Sequence, residues 1–184
     1  SSKSCARHSP SSGRCASRNT AGKIILRTVF LEAHLPQEGL CLAQGEKGYG
    51  FWDTTGQAVI LPQYENAQDF SEGLAAVQQD GKWGFIDKTG QMIIAPIYEE
   101  AQSFHEGMAA VKLNGLWGFL NTSGELVIPA QYDTVQNFSE GVAPVEQNDT
   151  WGCIDKKGEL ILACRYEEVR PCSDSRIAVK WQNR

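Results

Sequence analysis

Short apolar runs alternate with polar turns along most of the chain, and one stretch shows the pattern in full. The run Leu74-Ala75-Ala76-Val77-Gln78 is followed by the turn Gln79-Asp80-Gly81. The run Trp83-Gly84-Phe85-Ile86 is followed by Asp87-Lys88-Thr89-Gly90, and then comes Gln91-Met92-Ile93-Ile94-Ala95. Asp-Gly is a strong hairpin signal, because both residues tolerate the positive φ of tight primed turns. Asp87 can accept backbone amides within its own turn. The expectation is three strands, 74–78, 83–86 and 91–95, with Pro96 ending the third by removing an amide donor. The link 98–104 has apolar residues every third position, which suits a single helical or 3₁₀ turn. Alternation puts Trp83 and Phe85 on one face and Gly84 and Ile86 on the other, with the glycine leaving room for a neighbouring ring. The third strand is apolar on both faces in later copies, Leu126-Val127-Ile128 and Leu160-Ile161-Leu162, so it is expected to be covered on both sides.

The pattern recurs. Trp83-Gly84, Trp117-Gly118 and Trp151-Gly152 are each 34 residues apart, and Tyr49-Gly50 lies one period earlier. Tyr64, Tyr98, Tyr132 and Tyr166 keep the same step, as do Glu38, Glu72, Glu106 and Glu140, each followed by glycine. Turn glycines recur at Gly56, Gly90, Gly124 and Gly158. The register reaches back to Gly22 and forward to Ile177-Ala178-Val179, where a further copy begins. Such a unit cannot bury its apolar faces alone, so its neighbours must complete it. The expected fold is all-β, with tandem repeats of about 34 residues, each a three-stranded antiparallel meander. They are stacked as a solenoid or superhelix, and a closed propeller-like toroid is the alternative.

The string Gly81-Lys82-Trp83-Gly84-Phe85-Ile86-Asp87, then Ile93-Ile94-Ala95-Pro96-Ile97-Tyr98, then Phe104-His105-Glu106-Gly107, resembles the bacterial WG-repeat family. The resemblance is strong over residues 36–170 and weak over 15–35. It implies a repeat fold and at most a binding role, because that family is defined by its repeat and not by an activity. No catalytic residue carries over.

Charge divides the chain. Residues 1–31 hold Lys3, Arg7, Arg14, Arg18, Lys23 and Arg27 and no acid, which leaves the remainder at −11 against an overall −5. An acidic body argues against nucleic acid as a partner, which demands cation-rich surface. Residues 1–21 read as a basic Ser/Cys-rich segment, a solvated tail or a decayed capping repeat. Residues 22–184 read as the repeat domain, its last repeat truncated. No run approaches the length of a membrane-spanning helix.

The six cysteines are Cys5, Cys15, Cys41, Cys153, Cys164 and Cys172. An even count leans toward an oxidising compartment, and the first residue, serine, suits a processed protein or a fragment. A periplasmic or secreted location is expected, with the cytoplasm left open. Cys153 and Cys172 each replace a phenylalanine that recurs elsewhere, which suggests a bridge between them. The bland reading is two buried free thiols.

The candidate chemistry is sparse. No metal site and no cofactor are expected. His8, His34 and His105 do not recur, and no nucleophile elbow, phosphate loop or zinc motif occurs, so an enzyme is not expected. The repeated tryptophans could stack on sugars, which makes a carbohydrate-binding module the second reading. A large residue repeated beside glycine is more simply the core of the repeat. The repeated glutamates could bind calcium, but backbone amides at a turn are the simpler partners. The hairpin turns differ between repeats: Gln79 and Asp80, Leu113 and Asn114, Gln147 and Asn148. Variable positions of repeat proteins form the recognition surface, so these turns are the expected contact line for another protein or for the chain itself. The overall expectation is a non-catalytic protein-binding or assembly module.

Overall fold

The computed structural model describes residues 32–172 and 176–181. The basic segment 1–21, residues 22–31, and the cysteines Cys5 and Cys15 lie outside the described residues. Among the described residues there is no helix, so none is long and apolar enough to cross a membrane. The chain divides into two compact units, residues 1–63 and 64–184.

The first unit contributes one antiparallel sheet. Its order is β1 (Glu32–Ala33), β2 (Leu40–Gly45), β3 (Gly48–Asp53) and β4 (Ala58–Tyr64). Leu42, Ala43, Phe51, Trp52 and Ile60 are buried. Trp52 packs with Ala43 and Ala58, as a core side chain.

The second unit contains three sheets built on one plan. The first runs β5 (Asn66–Ala67), β6 (Leu74–Gln79), β7 (Lys82–Asp87) and β8 (Met92–Tyr98). The next runs β9 (Glu100–Ala101), β10 (Met108–Leu113), β11 (Leu116–Asn121) and β12 (Leu126–Tyr132). The last joins β13 (Thr134–Val135), β14 (Val142–Gln147), β15 (Thr150–Asp155), β16 (Leu160–Cys172) and β17 (Arg176–Trp181). Sheets of four and five strands replace the expected three. The link after each tyrosine is no 3₁₀ turn: Glu100 and Ala101 pair with Lys112 and Val111. One extended stretch therefore ends one sheet at Tyr98 and opens the next at Glu100. Pro96 does not end its strand either. It lies within β8, at the sheet edge and inside a bulge, where a missing amide donor interrupts no ladder bond.

The same bulge explains the Trp-Gly dipeptide. Trp83 pairs with Tyr98 and Phe85 with Ile94, so β8 sets three residues, 95 to 97, opposite Gly84, two more than a regular ladder. A Cβ on Gly84 would meet the Ile94 carbonyl oxygen at 2.5 Å and the Pro96 nitrogen at 2.8 Å. Gly118 meets Ile128 and Ala130 in the same way. The space beside the glycine is thus filled by the backbone of the repeat's own outer strand, not by a ring.

The core of this unit lies between sheets. Leu74, Ala76, Phe85, Ile94 and Tyr98 of one sheet pack with Ala109, Val111 and Leu120 of the next. Phe119, Ile128 and Tyr132 pack in turn with Ala143, Val145 and Ile154. Each fully buried phenylalanine contributes about 1.5–3 kcal/mol relative to an exposed one. Edge-on ring contacts, Phe85–Phe104 at 5.0 Å and Phe119–Phe138 at 4.9 Å, repeat the arrangement. Neighbours thus complete each other's core, as the pattern requires. The outer strands are the exception. Ile93, Val127 and Ile161 are exposed, so the third strand is covered on one face only. It forms the rim of each four-stranded sheet, whereas in the last sheet β17 pairs beyond it; the two middle strands are buried on both faces.

Candidate functional site

Most of the recurring residues serve the scaffold. Trp117 is buried, Trp83 and Trp151 are half-buried, and each pairs across the sheet with a buried tyrosine: Trp83 with Tyr98, Trp117 with Tyr132, Trp151 with Tyr166. Tyr64 is buried likewise. Burial raises the Tyr98 and Tyr132 hydroxyls above their ordinary range.

The glutamates Glu72 and Glu106 bind main chain. Glu72, Glu106 and Glu140 have φ of 54°, 54° and 51°, a left-handed conformation at the tip of a tight turn. Glu72 Oε2 accepts the Gly107 amide at 2.7 Å. Glu106 accepts the Glu140 amide at 2.6 Å and the Gly141 amide at 2.8 Å. Each bond reaches the same turn of the next repeat, so the carboxylate serves its neighbour and not its own unit. Lys156 adds a bond to the Glu106 carbonyl at 2.9 Å and an ion pair to its carboxylate at 3.2 Å. The Gly141 amide foremost, then Lys156 and the Glu140 amide, hold the Glu106 carboxyl below the usual range, against the opposing effect of partial burial.

Sequence reasoning missed a second set of junction bonds. Gln68 Nε2 donates to the Ala101 carbonyl at 2.9 Å, and Ser71 Oγ to the Phe104 carbonyl at 2.7 Å. The signal was present, since Gln68, Gln102 and Gln136 recur at 34 residues. The aspartate turns behave as expected. Asp87 Oδ1 accepts Thr89 Oγ1 at 2.6 Å, the Thr89 amide at 2.8 Å and the Gln91 amide at 3.0 Å. The Thr89 hydroxyl bond contributes most to depressing the Asp87 carboxyl.

The hairpin turns remain. Asp80-Gly81 and Asn114-Gly115 both have positive φ, which is the reason for Asp, Asn and Gly there. In the third copy Asn148 and Asp149 take φ of 52° and 59°. An acid from the short first strand's entry holds each turn. Glu65 Oε2 accepts the Gly81 amide at 2.9 Å, Glu99 Oε2 the Gly115 amide at 2.9 Å, and Asp133 Oδ2 the Asn148 amide at 2.8 Å. Gln79, Asp80, Asn114 and Asn148 are exposed. Leu113 is not free for a partner, because it is partly buried against the core cluster, and Gln147 is also partly buried. Beside the turns the structure places cross-strand pairs that differ between repeats: Asn66 with Gln78, Glu100 with Lys112, Thr134 with Glu146. Glu100 and Lys112 form an ion pair at 2.7 Å, and the Lys112 ammonium lies 5.8 Å from the Trp117 ring centre.

Cys153 is a free, buried thiol, so the bridge to Cys172 is not formed; the Cys172 side chain lies outside the described residues. The two positions are equivalent to Phe119 and Phe138, whose rings meet. Burial foremost, and then the neighbouring Cys164, push the Cys153 thiol up to about 11.

These sheets, bulges and junction bonds define an all-β protein of tandem repeats. The profile of the family described as "WG containing repeat" matches residues 49–83, 83–117, 117–151 and 151–183. The chain belongs to the WG-repeat family. No curated protein matches it. Among solved structures it is similar to a eukaryotic initiation factor, with a TM-score of 0.55 and 11% identity, over 85% of this chain and 50% of that one. It is also similar to Hsv2 of Kluyveromyces lactis, with a TM-score of 0.45 and 8% identity, over 79% of this chain and 54% of that one. The chain thus spans about half the length of these solved chains. At such identities the first likeness concerns the all-β fold alone.

Proposed function

We propose that this chain is a non-catalytic binding or assembly module, in an envelope or secreted setting, whose partner is another protein or a second copy of itself. One observation carries the reading. The polar side chains that recur are occupied by backbone hydrogen bonds, whereas the exposed and half-buried polar positions that differ gather at the hairpin end of the three sheets of residues 64–184. There the sequence changes from Asn66 and Gln78, to Glu100 and Lys112, to Thr134 and Glu146, without disturbing the pairing. A surface of that kind can be rewritten while the scaffold stays constant. The three sheets of residues 64–184 are read as part of an open solenoid-like stack, because both their junctions use the same glutamate-to-turn bond.

The test is a consensus swap. The turn and pair residues of the second and third copies are replaced by those of the first, leaving the holding acids in place. A partner captured by the native chain from envelope and secreted fractions, and identified by mass spectrometry, is expected to be lost by the swapped chain. Equal capture by both chains would refute the reading.

A further inference from the structure

The three hairpin tips are not chemically equivalent. Asn114 is exposed, sits at φ 54°, and precedes Gly115 at φ 79°. Gly115 is itself exposed, and an ideal Cβ on it would meet nothing within 4 Å. Asn followed by Gly is the arrangement in which a backbone nitrogen most readily attacks a side-chain amide, because the glycine carries no side chain to hinder it. One group stands against the attack. The Gly115 N–H donates to Glu99 Oε2 at 2.9 Å. The nitrogen becomes a nucleophile only as its proton leaves, and a carboxylate at contact distance both retains that proton and repels the charge that develops.

We propose that Asn114 is a deamidation site whose rate is restrained by Glu99. The Gly115 nitrogen loses its proton to solvent base and bonds to Asn114 Cγ. The Cγ–Nδ2 bond breaks, and ammonia leaves with a proton from water. The five-membered succinimide then takes up water at either carbonyl, giving aspartate or isoaspartate. The net change is one water consumed, one ammonia released and one carboxylate gained at the β10–β11 hairpin tip. The aspartate product reproduces the Asp80-Gly81 tip, held by Glu65 in the same way. The isoaspartate product lengthens the main chain within a two-residue turn and breaks its register with Leu113 and Leu116. Asn148 is an internal control, because Asp149 follows it and its side chain hinders the attack, while Asp133 holds the Asn148 amide instead.

The test incubates the full chain, native and Glu99→Gln, at neutral pH, and follows Asn114 and Asn148 by peptide mass and by isoaspartate detection. Glutamine keeps an oxygen acceptor and removes the charge. The expected result is about fivefold faster conversion of Asn114 in Glu99→Gln, the factor carried by a unit charge at contact distance in water. Asn148 is expected to lag in both chains. High salt is expected to speed conversion of the native chain and to leave the variant unchanged, because only the charge is screened. A turn merely loosened by the substitution would speed the variant without making the native chain salt-sensitive. Conversion no faster in Glu99→Gln, or a native rate indifferent to salt, would overturn the proposal.

Discussion

Two kinds of glycine recur in every repeat, and they should respond oppositely in size to the same substitution. Gly118 has ordinary φ but no room: a Cβ there meets the Ile128 carbonyl oxygen at 2.5 Å, the Ala130 nitrogen at 2.7 Å and the Pro129 carbonyl carbon at 2.9 Å. All three are main-chain atoms of the bulged outer strand, so no rotamer can move aside. Gly118→Ala must shift β12 off β11, and overpacking of this kind costs about 3 kcal/mol where the neighbour is backbone. Gly107 has the reverse problem. Its φ is 82° and nothing lies within 4 Å of its Cβ position. Gly107→Ala carries only the left-handed penalty, about 1–2 kcal/mol. For a chain of 184 residues, a loss of about 3 kcal/mol lowers Tm by roughly 6–12 °C. Urea titrations of both variants, read by tryptophan fluorescence and circular dichroism, give the comparison. If Gly118→Ala is no more destabilising than Gly107→Ala, the account of the Trp-Gly dipeptide as a backbone crossing is wrong.

Two further outcomes follow from the junctions and the core. The Glu106 carboxyl is held below its ordinary value when folded, so its contribution to stability is complete above that value and is lost as pH falls through the lowered one. Stability of the native chain should therefore fall more steeply in acid, below about pH 4.5, than that of Glu106→Gln; parallel acid-unfolding curves would remove Glu106 from the junction. Cys153 should resist a thiol-alkylating reagent at pH 8 in the folded chain and react fully in denaturant without reductant, because it is buried and its pKa lies about 11. Failure to react in denaturant would show a bridged sulfur instead.

The sequence carried the fold class well because its signals were local and repeated. Asp80-Gly81 and Asp87 to Gly90 specify their turns within a few residues, and both formed as expected. What failed involved competition between repeats. Residues 98–104 have a helical spacing of apolar residues, but Glu100 and Ala101 are claimed by the edge of β10, a partner one repeat ahead. Proline would end a central strand, but Pro96 lies within β8, and nothing in its neighbours told that β8 would be a rim. The period revealed that Glu72 and Glu106 mattered, but not that they reach across the junction, since a recurrence of 34 residues is the same whether a bond stays within a unit or leaves it. At the candidate site, the variable turns were legible, whereas the packing of Leu113 onto the core was visible only in three dimensions.

The junction bond has a consequence for how such chains change over generations. The carboxylates of Glu72 and Glu106 both accept main-chain amides of the following turn, and every peptide presents those alike. No complementary pair of side chains has to be matched across that bond. A unit can be duplicated, lost or moved, and it meets the same amides in its new neighbour. Copy number and outward-facing turn sequence can therefore drift independently, which lets one short segment generate modules of many lengths and many surfaces.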